Sequence, residues 1–188
     1  MFEIKRLCAL ALATLLLGFW GVAGAELAPL PTVKSLDLPR FLDKWHEIAL
    51  IPNRFQRKCV RDTEAEYAAG GAAELLVRNR CVAADGSVEV AIGAARCVNP
   101  GDPTRLQVRF APSWLAWLPL VWGDYWVIGL ADDYRYAVVG EPSRNFLWIL
   151  ARDTAFCSAD RVAIDALLLS VGYDPQRLVS SPQSGGVR

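Results

Sequence analysis

Few residues of this 188-residue chain are suited to catalysis. His46 is the single histidine, which excludes a two-histidine metal site, and no cysteine pair has the close spacing of zinc ligands. The chain has no G-x-S-x-G, no phosphate-binding loop motif and no G-x-G-x-x-G. Asp132-Asp133 reads as a turn, where aspartates favour tight backbone geometry. The sequence therefore predicts no catalytic residue, no metal and no cofactor. Asp124 could be a catalytic acid only if its side chain were buried, because strongly perturbed carboxyl groups cluster at active sites.

A cationic segment offers a different chemistry, the binding of an anion. Arg54, Arg57 and Lys58 lie close together in the chain, around Phe55. Guanidinium and ammonium groups form charge-assisted hydrogen bonds with phosphate or carboxylate, so they would suit an anionic head group, with Phe55 as an apolar lid. A solvated charged loop is the alternative. Because Lys+Arg and Asp+Glu are equal at 20 each, no basic excess points to nucleic acid.

The N-terminus has the pattern of a secretory signal peptide over residues 1–25. A short positive start precedes an apolar run over residues 7–20, and Ala23-Gly24-Ala25 is a small-x-small cleavage site. We expect cleavage after Ala25 and export to the periplasm. An N-terminal membrane anchor is the alternative, which the short apolar run disfavours. Cys8 stands at the front of that run and not at its end, so we do not expect a lipoprotein.

The elements that must position these residues are short strands joined by turns. Partly alternating apolar runs are separated by turn signals such as Gly70-Gly71 and Asp85-Gly86. We predict an all-β fold, an eight-stranded antiparallel up-and-down β-barrel, which is wide enough to hold one small ligand. The domain would occupy residues 26–180, followed by a flexible tail over 181–188. The predicted strands cover residues 45–51, 63–67, 74–80, 87–95, 105–110, 124–130, 134–140 and 145–152.

One C-terminal α-helix is predicted after the strands. Ser158 is a suitable N-cap, and Gly172 is a natural stop. Ile164, Leu167 and Leu168 recur at helical spacing and mark one apolar face. We expect this face to pack against the outside of the barrel.

Alternation along the strands separates the inside of the barrel from the outside. Charged residues belong outside, so the alternate residues point inward. The predicted interior is apolar with a few polar groups, which suits a ligand with an apolar body and one polar head. A barrel filled by its own side chains is the alternative. The inward residues are Thr63, Ala65, Tyr67, Leu75, Val77, Asn79, Leu106, Val108, Phe110, Trp148 and Arg152.

Four cysteines follow the predicted signal peptide, and export would place them in an oxidising compartment. If the second and third strands turn at Gly70-Gly71, opposed residue numbers sum to 140 or 141, and Cys59 and Cys81 sum to 140. Directly opposed residues lie within disulfide range, so we predict the bridge Cys59–Cys81. Cys97 and Cys157 both fall at the opposite end of a simple meander, which allows a second bridge. Reduced, packed thiols are the alternative.

Four of the seven tryptophans fall in residues 113–126. Pro119 and Asp124 interrupt this stretch, and it is too short to span a membrane. In the strand register Tyr125 begins the sixth strand, and residues 113–122 form a loop at the mouth of the barrel. Tryptophan and leucine at a rim suit a membrane interface or an apolar lip, so we expect Trp114 to contact a ligand or a membrane.

Two stretches, which together hold three motifs, give the chain a family resemblance. LDKWHEIALIPNRFQRKC (42–59) resembles the first lipocalin motif, and YWVIGLADDYRYAVVGEPSRNFLWILAR (125–152) resembles the second and third motifs together. The resemblance covers about residues 33–178 and is strongest to the bacterial lipocalins allied to apolipoprotein D. Asp43 stands where these lipocalins usually have a glycine. The resemblance implies that Trp45 closes the bottom of the barrel and that Arg152 packs across its ring, as a cation–π pair.

The resemblance also implies a function. Bacterial members resemble carriers of fatty acids or lysophospholipids for the cell envelope, and the mouth would be formed by loops 51–58, 82–87, 111–123 and 140–145. We expect a periplasmic carrier, peripheral to the outer membrane through residues 113–122, as a monomer or a homodimer. An enzyme acting on a small apolar substrate and an envelope interaction protein with a filled barrel are the alternatives. The predicted ligand contacts are Arg54, Phe55, Thr63, Tyr67, Val77, Asn79, Phe110, Trp114, Tyr125 and Trp148.

Overall fold

The computed structural model describes residues 28–71, 74–99, 101–154 and 156–184. The predicted signal peptide over residues 1–25 lies outside the described residues. Within the described part of the chain, no helix has both the length and the apolar character needed to span a membrane.

Nine antiparallel strands form in the described residues, and the first eight close into a barrel. Consecutive strands pair from β2 to β8, and β1 pairs with both β8 and β2. The predicted eight-stranded barrel with one C-terminal helix is confirmed. The strands are β1 (Asp43–Leu50), β2 (Cys59–Ala69), β3 (Glu74–Ala83), β4 (Val88–Asn99), β5 (Asp102–Arg109), β6 (Gly123–Leu130), β7 (Tyr136–Gly140), β8 (Leu147–Ala151) and β9 (Val179–Ser180), and the α-helices are α1 (Leu38–Phe41) and α2 (Ser158–Ser170).

Charge alternation sets the two faces of β2 and β3. Thr63 and Tyr67 are buried on the inner face, whereas Glu64 lies between them on the outer face and pairs with Arg80 of β3 at 3.2 Å. A shift of the strand by one residue would bring the Glu64 carboxylate into the core, so the charge pattern determines which face points inward. The turn before β7 is longer than predicted. Tyr134 adopts a positive φ of 65° there, and β7 begins only at Tyr136.

The C-terminal segment, residues 179–184, continues the barrel wall. This role of the segment was not predicted from the sequence. Direct pairing of β1 with β2 ends at His46 opposite Glu64, and β9 pairs with the next part of β1. Gln183 then donates from its side chain to the carbonyls of Glu47 (2.8 Å) and Thr63 (3.1 Å), one on each strand. The described part of the expected tail is therefore hydrogen bonded to the barrel, and residues 185–188 lie outside the described residues.

The predicted disulfide Cys59–Cys81 is confirmed, with a Cα–Cα distance of 5.5 Å. The strand register used to predict it was wrong, because Cys59 lies opposite Ala83 and the bridge runs diagonally. Opposed residue numbers sum to 144 from Glu64 to Ala69, so the predicted sum of 140 or 141 was already wrong next to the turn, and two register shifts between Cys59 and Glu64 lower the sum to 142 at Cys59. A bulge inserts an unpaired residue into one strand, and the alternation pattern alone does not reveal it.

The prediction of a second bridge, Cys97–Cys157, was wrong, because both thiols are free. Cys97 lies on β4 opposite Leu106 and packs against the barrel core. Cys157 is exposed at the start of α2, on the outside of the barrel. The two residues lie on opposite faces of the sheet, so they do not meet even though both were expected at the same end of the barrel.

The closed end of the barrel is built around Trp45. Its side chain is fully buried, its indole N–H donates to the carbonyl of Phe41 at 2.8 Å, and the Arg152 guanidinium lies 3.8 Å from the ring centroid. Arg152 also donates to backbone carbonyls of Lys44 and the α1 region. Asp43 adopts a positive φ of 72°, a conformation that glycine takes without strain.

Helix α2 covers one outer face of the barrel. Ile164 and Leu168 are buried against residues of β6, β7 and β8. Gly129 on β6 allows this approach, since an added Cβ would lie 2.5 Å from the Leu167 side chain. The N-cap is Cys157 and not the predicted Ser158, while Gly172 follows the helix with a positive φ of 84°.

Candidate ligand cavity

A cavity of about 690 Å³ occupies the upper half of the barrel. Its volume lies in the range of small-molecule sites. The lower half is filled around Trp45, Phe41 and Leu106, so the barrel is neither hollow throughout nor packed throughout. The structure brings nine of the ten predicted ligand contacts to the cavity wall: Arg54, Phe55, Thr63, Tyr67, Val77, Asn79, Phe110, Tyr125 and Trp148.

Two tyrosines from opposite walls form the cavity floor. The hydroxyls of Tyr67 on β2 and Tyr125 on β6 lie 2.5 Å apart, and both side chains are buried. Burial, the main cause, raises the pKa of both phenols well above the ordinary value of 10. Both are therefore neutral hydrogen-bonding groups at neutral pH. The Tyr67 ring also contacts Phe41, which joins the floor to the packed half of the barrel.

The cavity wall above the floor is apolar with isolated neutral polar groups. Val77, Val108 and Trp148 line the wall together with Thr63. Asn79 is partly buried, and its Oδ1 has no hydrogen-bond partner among the described residues. A buried amide oxygen without a donor is costly, and this oxygen is closed off from the solvent.

A chain of hydrogen-bonded polar side chains behind the wall was not predicted from the sequence. Gln56 accepts from the indole N–H of Trp148 (2.7 Å) and donates to Glu47 (2.5 Å), whose other oxygen accepts from Ser181 of the C-terminal segment. Glu47 has the same parity as inward Trp45, so alternation was a usable signal for its burial. Gln56 ends a single 3-10 turn, Arg54–Gln56, which is too short for periodicity to give a signal.

Glu47 is expected to make stability depend on pH. Burial, the largest cause, raises the pKa of its carboxyl above the ordinary 4.5, and hydrogen bonds from Ser181 and Gln56 oppose this shift only in part. The folded state therefore favours the protonated form. The contribution of Glu47 to stability is full below pH 4.5, declines as the pH rises through the raised pKa, and then levels off.

Glu47→Gln is expected to abolish this decline, since glutamine does not titrate. The measurement is the free energy of unfolding in urea for both proteins from about pH 4 to about pH 8. Two parallel profiles would contradict the assignment of the titrating group.

The rim of the cavity carries the cations and several exposed aromatic rings. Arg54 lies over the Phe55 ring at 5.0 Å, and Phe55 contacts Phe146 of the neighbouring β7–β8 loop. Lys58 also lines the mouth but pairs with Glu89 at 3.1 Å, whereas Arg57 lies beside a side pocket between β1 and β2. The three predicted cations therefore do not form one cluster. Arg54 lies at the mouth and forms no ion pair among the described residues.

Residues 113–122 divide into a buried anchor and an exposed tip. Trp122 is buried between the guanidinium groups of Arg96 (3.9 Å) and Arg109 (5.1 Å), and its indole donates to the carbonyl of Ala116. Trp114, Trp117 and Leu120 are 73%, 75% and 96% exposed. The predicted ligand contact Trp114 does not line the cavity. It faces solvent beside the mouth.

The residues considered for catalysis do not converge in the cavity. His46 does not line it, and Asp124 is exposed at its rim, where it accepts from Gln107 at 3.2 Å. Asp133 in the β6–β7 turn pairs with Arg135. Within the described ranges, no group of three His, Cys, Asp or Glu residues is placed to bind a metal ion.

Comparison with known proteins identifies the family. Residues 36–183 match the family model described as a lipocalin-like domain. The chain is 35% identical to temperature-induced lipocalin-1 of Arabidopsis thaliana over 161 residues (85% of this chain, 86% of the relative), and 30% identical to the outer membrane lipoprotein Blc of Escherichia coli over 154 residues (81% and 82%). Insecticyanin of the tobacco hornworm Manduca sexta has the same fold, with a TM-score of 0.63 at 22% identity over 83% of this chain and 85% of its own. The chain belongs to the lipocalin family, whose members generally bind small hydrophobic ligands.

Proposed function

We propose that this protein is a carrier or storage protein for lysophospholipids or fatty acids in a bacterial cell envelope. The observation that carries the proposal is the cavity of about 690 Å³, which has a largely apolar wall and opens at one end of the barrel. A monoacyl ligand would bury its chain against Val77, Val108 and Trp148. Burial of apolar surface supplies the main driving force for such a complex.

The rim supports an anionic or zwitterionic head group. Arg54 is exposed at the mouth, within reach of solvent and beside the cavity. A guanidinium can bind phosphate or carboxylate with two parallel hydrogen bonds. The proposed arrangement places the charged head at the mouth and the chain below it.

The binding experiment is the displacement of a fluorescent fatty-acid analogue from the purified protein by lysophosphatidylethanolamine and by palmitic acid. Saturable displacement at one site per chain supports the carrier function. A protein that binds neither the fluorescent analogue nor the two competitors is not a carrier of these lipids.

We also propose that the exposed tip of residues 113–122 contacts the membrane from which the ligand is taken. Trp114, Trp117 and Leu120 project from the rim that the ligand must cross. Indole rings favour the interface between head groups and acyl chains. Uncharged exposed residues beside a lipid cavity are difficult to explain as ordinary solvated surface.

Trp114→Ser with Trp117→Ser is expected to weaken binding to phospholipid vesicles at least tenfold, because the apolar area that enters the interface is lost. Folding should be intact, since both indoles are exposed. The measurement is co-sedimentation with vesicles, and Val162→Ser with Leu169→Ser on the exposed face of α2 is the matched control. Equal vesicle binding by both double variants would mean that the tip is not a membrane contact.

The proposed location is the periplasm, after export, with the protein peripheral to the outer membrane as a monomer or a homodimer. Relatives named as outer membrane lipoproteins support a location at the envelope. The same names do not support the expectation that this chain is not a lipoprotein.

A further inference from the structure

Three arginines share the outer face of β4 and β5, directly behind the tip of residues 113–122. Arg105 and Arg109 lie on the same side of β5, about 13 Å apart along the strand. Arg96 of β4 lies opposite Gln107, midway between them. The alternate residues of β5 face the barrel interior, so all three arginines lie outside. We call Arg96, Arg105 and Arg109 the cationic face.

Two indole rings hold these guanidinium groups against the sheet. Trp122, the buried anchor of residues 113–122, has its ring centroid 3.9 Å from the Arg96 guanidinium and 5.1 Å from that of Arg109. Trp126 of β6 lies 4.9 Å from Arg105 in the same way. Stacking uses the flat face of a guanidinium and leaves its charge and its outward N–H groups in place. The indoles therefore restrict the positions of the three charges.

The positive charge of the cationic face has no paired acid. Within the described ranges, none of its three arginines forms an ion pair, whereas Arg78 and Arg80 on neighbouring β3 each pair with a glutamate. Arg109 is only 7% exposed, and its Nε has no hydrogen-bond partner in the described part of the chain. An uncompensated cation that is largely removed from water costs stability, which an anion beside the face would recover.

Two carboxylates lie near the cationic face, and both are held by neutral partners. Asp124 accepts from the Gln107 amide at 3.2 Å, at the edge of the face on β6. Asp102 interacts electrostatically with Arg105 from the far end of β5, but its carboxylate accepts from the Thr104 hydroxyl at 2.6 Å. Three cations and two carboxylates leave the surface positive, and the excess is greatest on the side nearer the tip.

The order from the tip to the cationic face matches the layers of a membrane surface. The exposed indoles of Trp114 and Trp117 suit the boundary between acyl chains and head groups. The cationic face begins behind them at Trp122, at the level where lipid phosphates would lie. Residues 110–123 carry no charged side chain, so the cationic face supplies the charge on this side of the mouth.

We propose that the cationic face binds the phosphate groups of anionic phospholipids, so that the protein docks on an anionic membrane surface with its mouth at the lipid. This inference rests on the proposed membrane contact of residues 113–122 and names the lipid charge that this contact prefers. A guanidinium suits a phosphate because it can donate two parallel hydrogen bonds. One arginine near an anionic bilayer strengthens binding roughly fivefold.

The test is co-sedimentation of the purified protein with two kinds of vesicle, phosphatidylcholine alone and equal parts of phosphatidylcholine and phosphatidylglycerol. We expect the wild-type protein to bind the anionic vesicles about tenfold more tightly at about 0.1 M salt, and to lose this preference at about 1 M salt, where charges are screened within about 3 Å. Arg96→Gln with Arg105→Gln should remove the preference and retain binding to phosphatidylcholine. Displacement of the fluorescent fatty-acid analogue should be unchanged, since both residues lie outside the barrel.

Two matched variants separate the cationic face from net charge and from packing. Arg96→Lys with Arg105→Lys keeps both charges and should retain most of the preference. Arg78→Gln with Arg161→Gln changes the net charge by the same amount at ion-paired positions on β3 and α2, and it should bind as the wild-type protein does. Loss of the preference in this second variant would show an effect of net charge alone and overturn the proposed face.

The other outcomes are also decisive. Equal binding of the wild-type protein to both kinds of vesicle, or a preference that survives in the glutamine variant, would overturn the inference. An equal loss of binding to both kinds in the glutamine variant would show that the arginines only support the tip. Loss of the preference on adding inorganic phosphate at constant ionic strength would show a site for a single free anion instead. Binding to neither kind of vesicle would overturn the membrane contact as well, while leaving the carrier function in place.

Discussion

Trp45→Ala is expected to lower the free energy of unfolding by about 3–5 kcal/mol, the usual cost of removing a large buried aromatic side chain. Trp45 is fully buried at the closed end of the barrel, in contact with Phe41 at a ring distance of 5.2 Å. The substitution leaves a void there, because the neighbouring rings and strands cannot move far enough to fill it.

Trp45→Ala should also lower stability by removing a cation–π contact. The Arg152 guanidinium lies over the Trp45 ring, and burial lowers the pKa of Arg152. Without the indole, a cation that is already partly removed from water loses its aromatic partner. Trp45→Phe should therefore restore part of the stability, since a phenyl ring retains a face for the guanidinium.

Urea unfolding and thermal melting measure this change, with Trp114→Ala as the control because its side chain is largely exposed. The control should lie within about 0.5 kcal/mol of the wild-type protein. A Trp45→Ala variant with an unchanged melting temperature would contradict the assignment of Trp45 as the residue that closes the barrel.

Ala91→Trp combined with Val108→Trp is expected to lower lipid affinity at least a hundredfold. Ala91 and Val108 line the cavity from β4 and β5, so two indoles would occupy space that the acyl chain needs. A bound ligand of this kind is mostly enclosed by its pocket, and it cannot share the volume with added side chains. The hundredfold loss corresponds to about 2.7 kcal/mol of binding free energy.

The measurement is displacement of the fluorescent fatty-acid analogue. Val88→Trp with Ile92→Trp is the matched control, since both residues are exposed on the outer face of the same sheet. The control variant should bind as the wild-type protein does. If the cavity variant folds and binds lipid with unchanged affinity, the ligand site lies elsewhere.

The strand pattern predicted the fold and most of the cavity wall for a physical reason. In a barrel the inner face is set by every second residue, so the outward charges Glu64, Glu66, Arg78 and Arg80 identify their inward neighbours. That reasoning placed Thr63, Tyr67 and Asn79 inside, and all three line the cavity. The bridge Cys59–Cys81 was predicted despite a wrong register, because a disulfide can also join diagonal neighbours.

Features set by irregular backbone and by tertiary contacts were not predictable in this way. Gln56 reaches Glu47 and Trp148 from a single 3-10 turn, which is too short to show a periodic pattern. Trp122 resembles Trp114 and Trp117 in sequence, yet it is buried because two arginines from β4 and β5 enclose it. The C-terminal segment fills the gap between β1 and β2 through hydrogen bonds of Gln183 and Ser184, residues that read as a polar tail.

Native mass spectrometry of the gently purified, disulfide-intact protein can test directly the claim that the barrel cavity holds one monoacyl lipid. We expect a mass increase of one such lipid per chain, either on purification or after incubation with lysophosphatidylethanolamine. We expect the Ala91→Trp, Val108→Trp variant to lack this increase. A wild-type protein that shows only the mass of the bare chain under both conditions would contradict the claim.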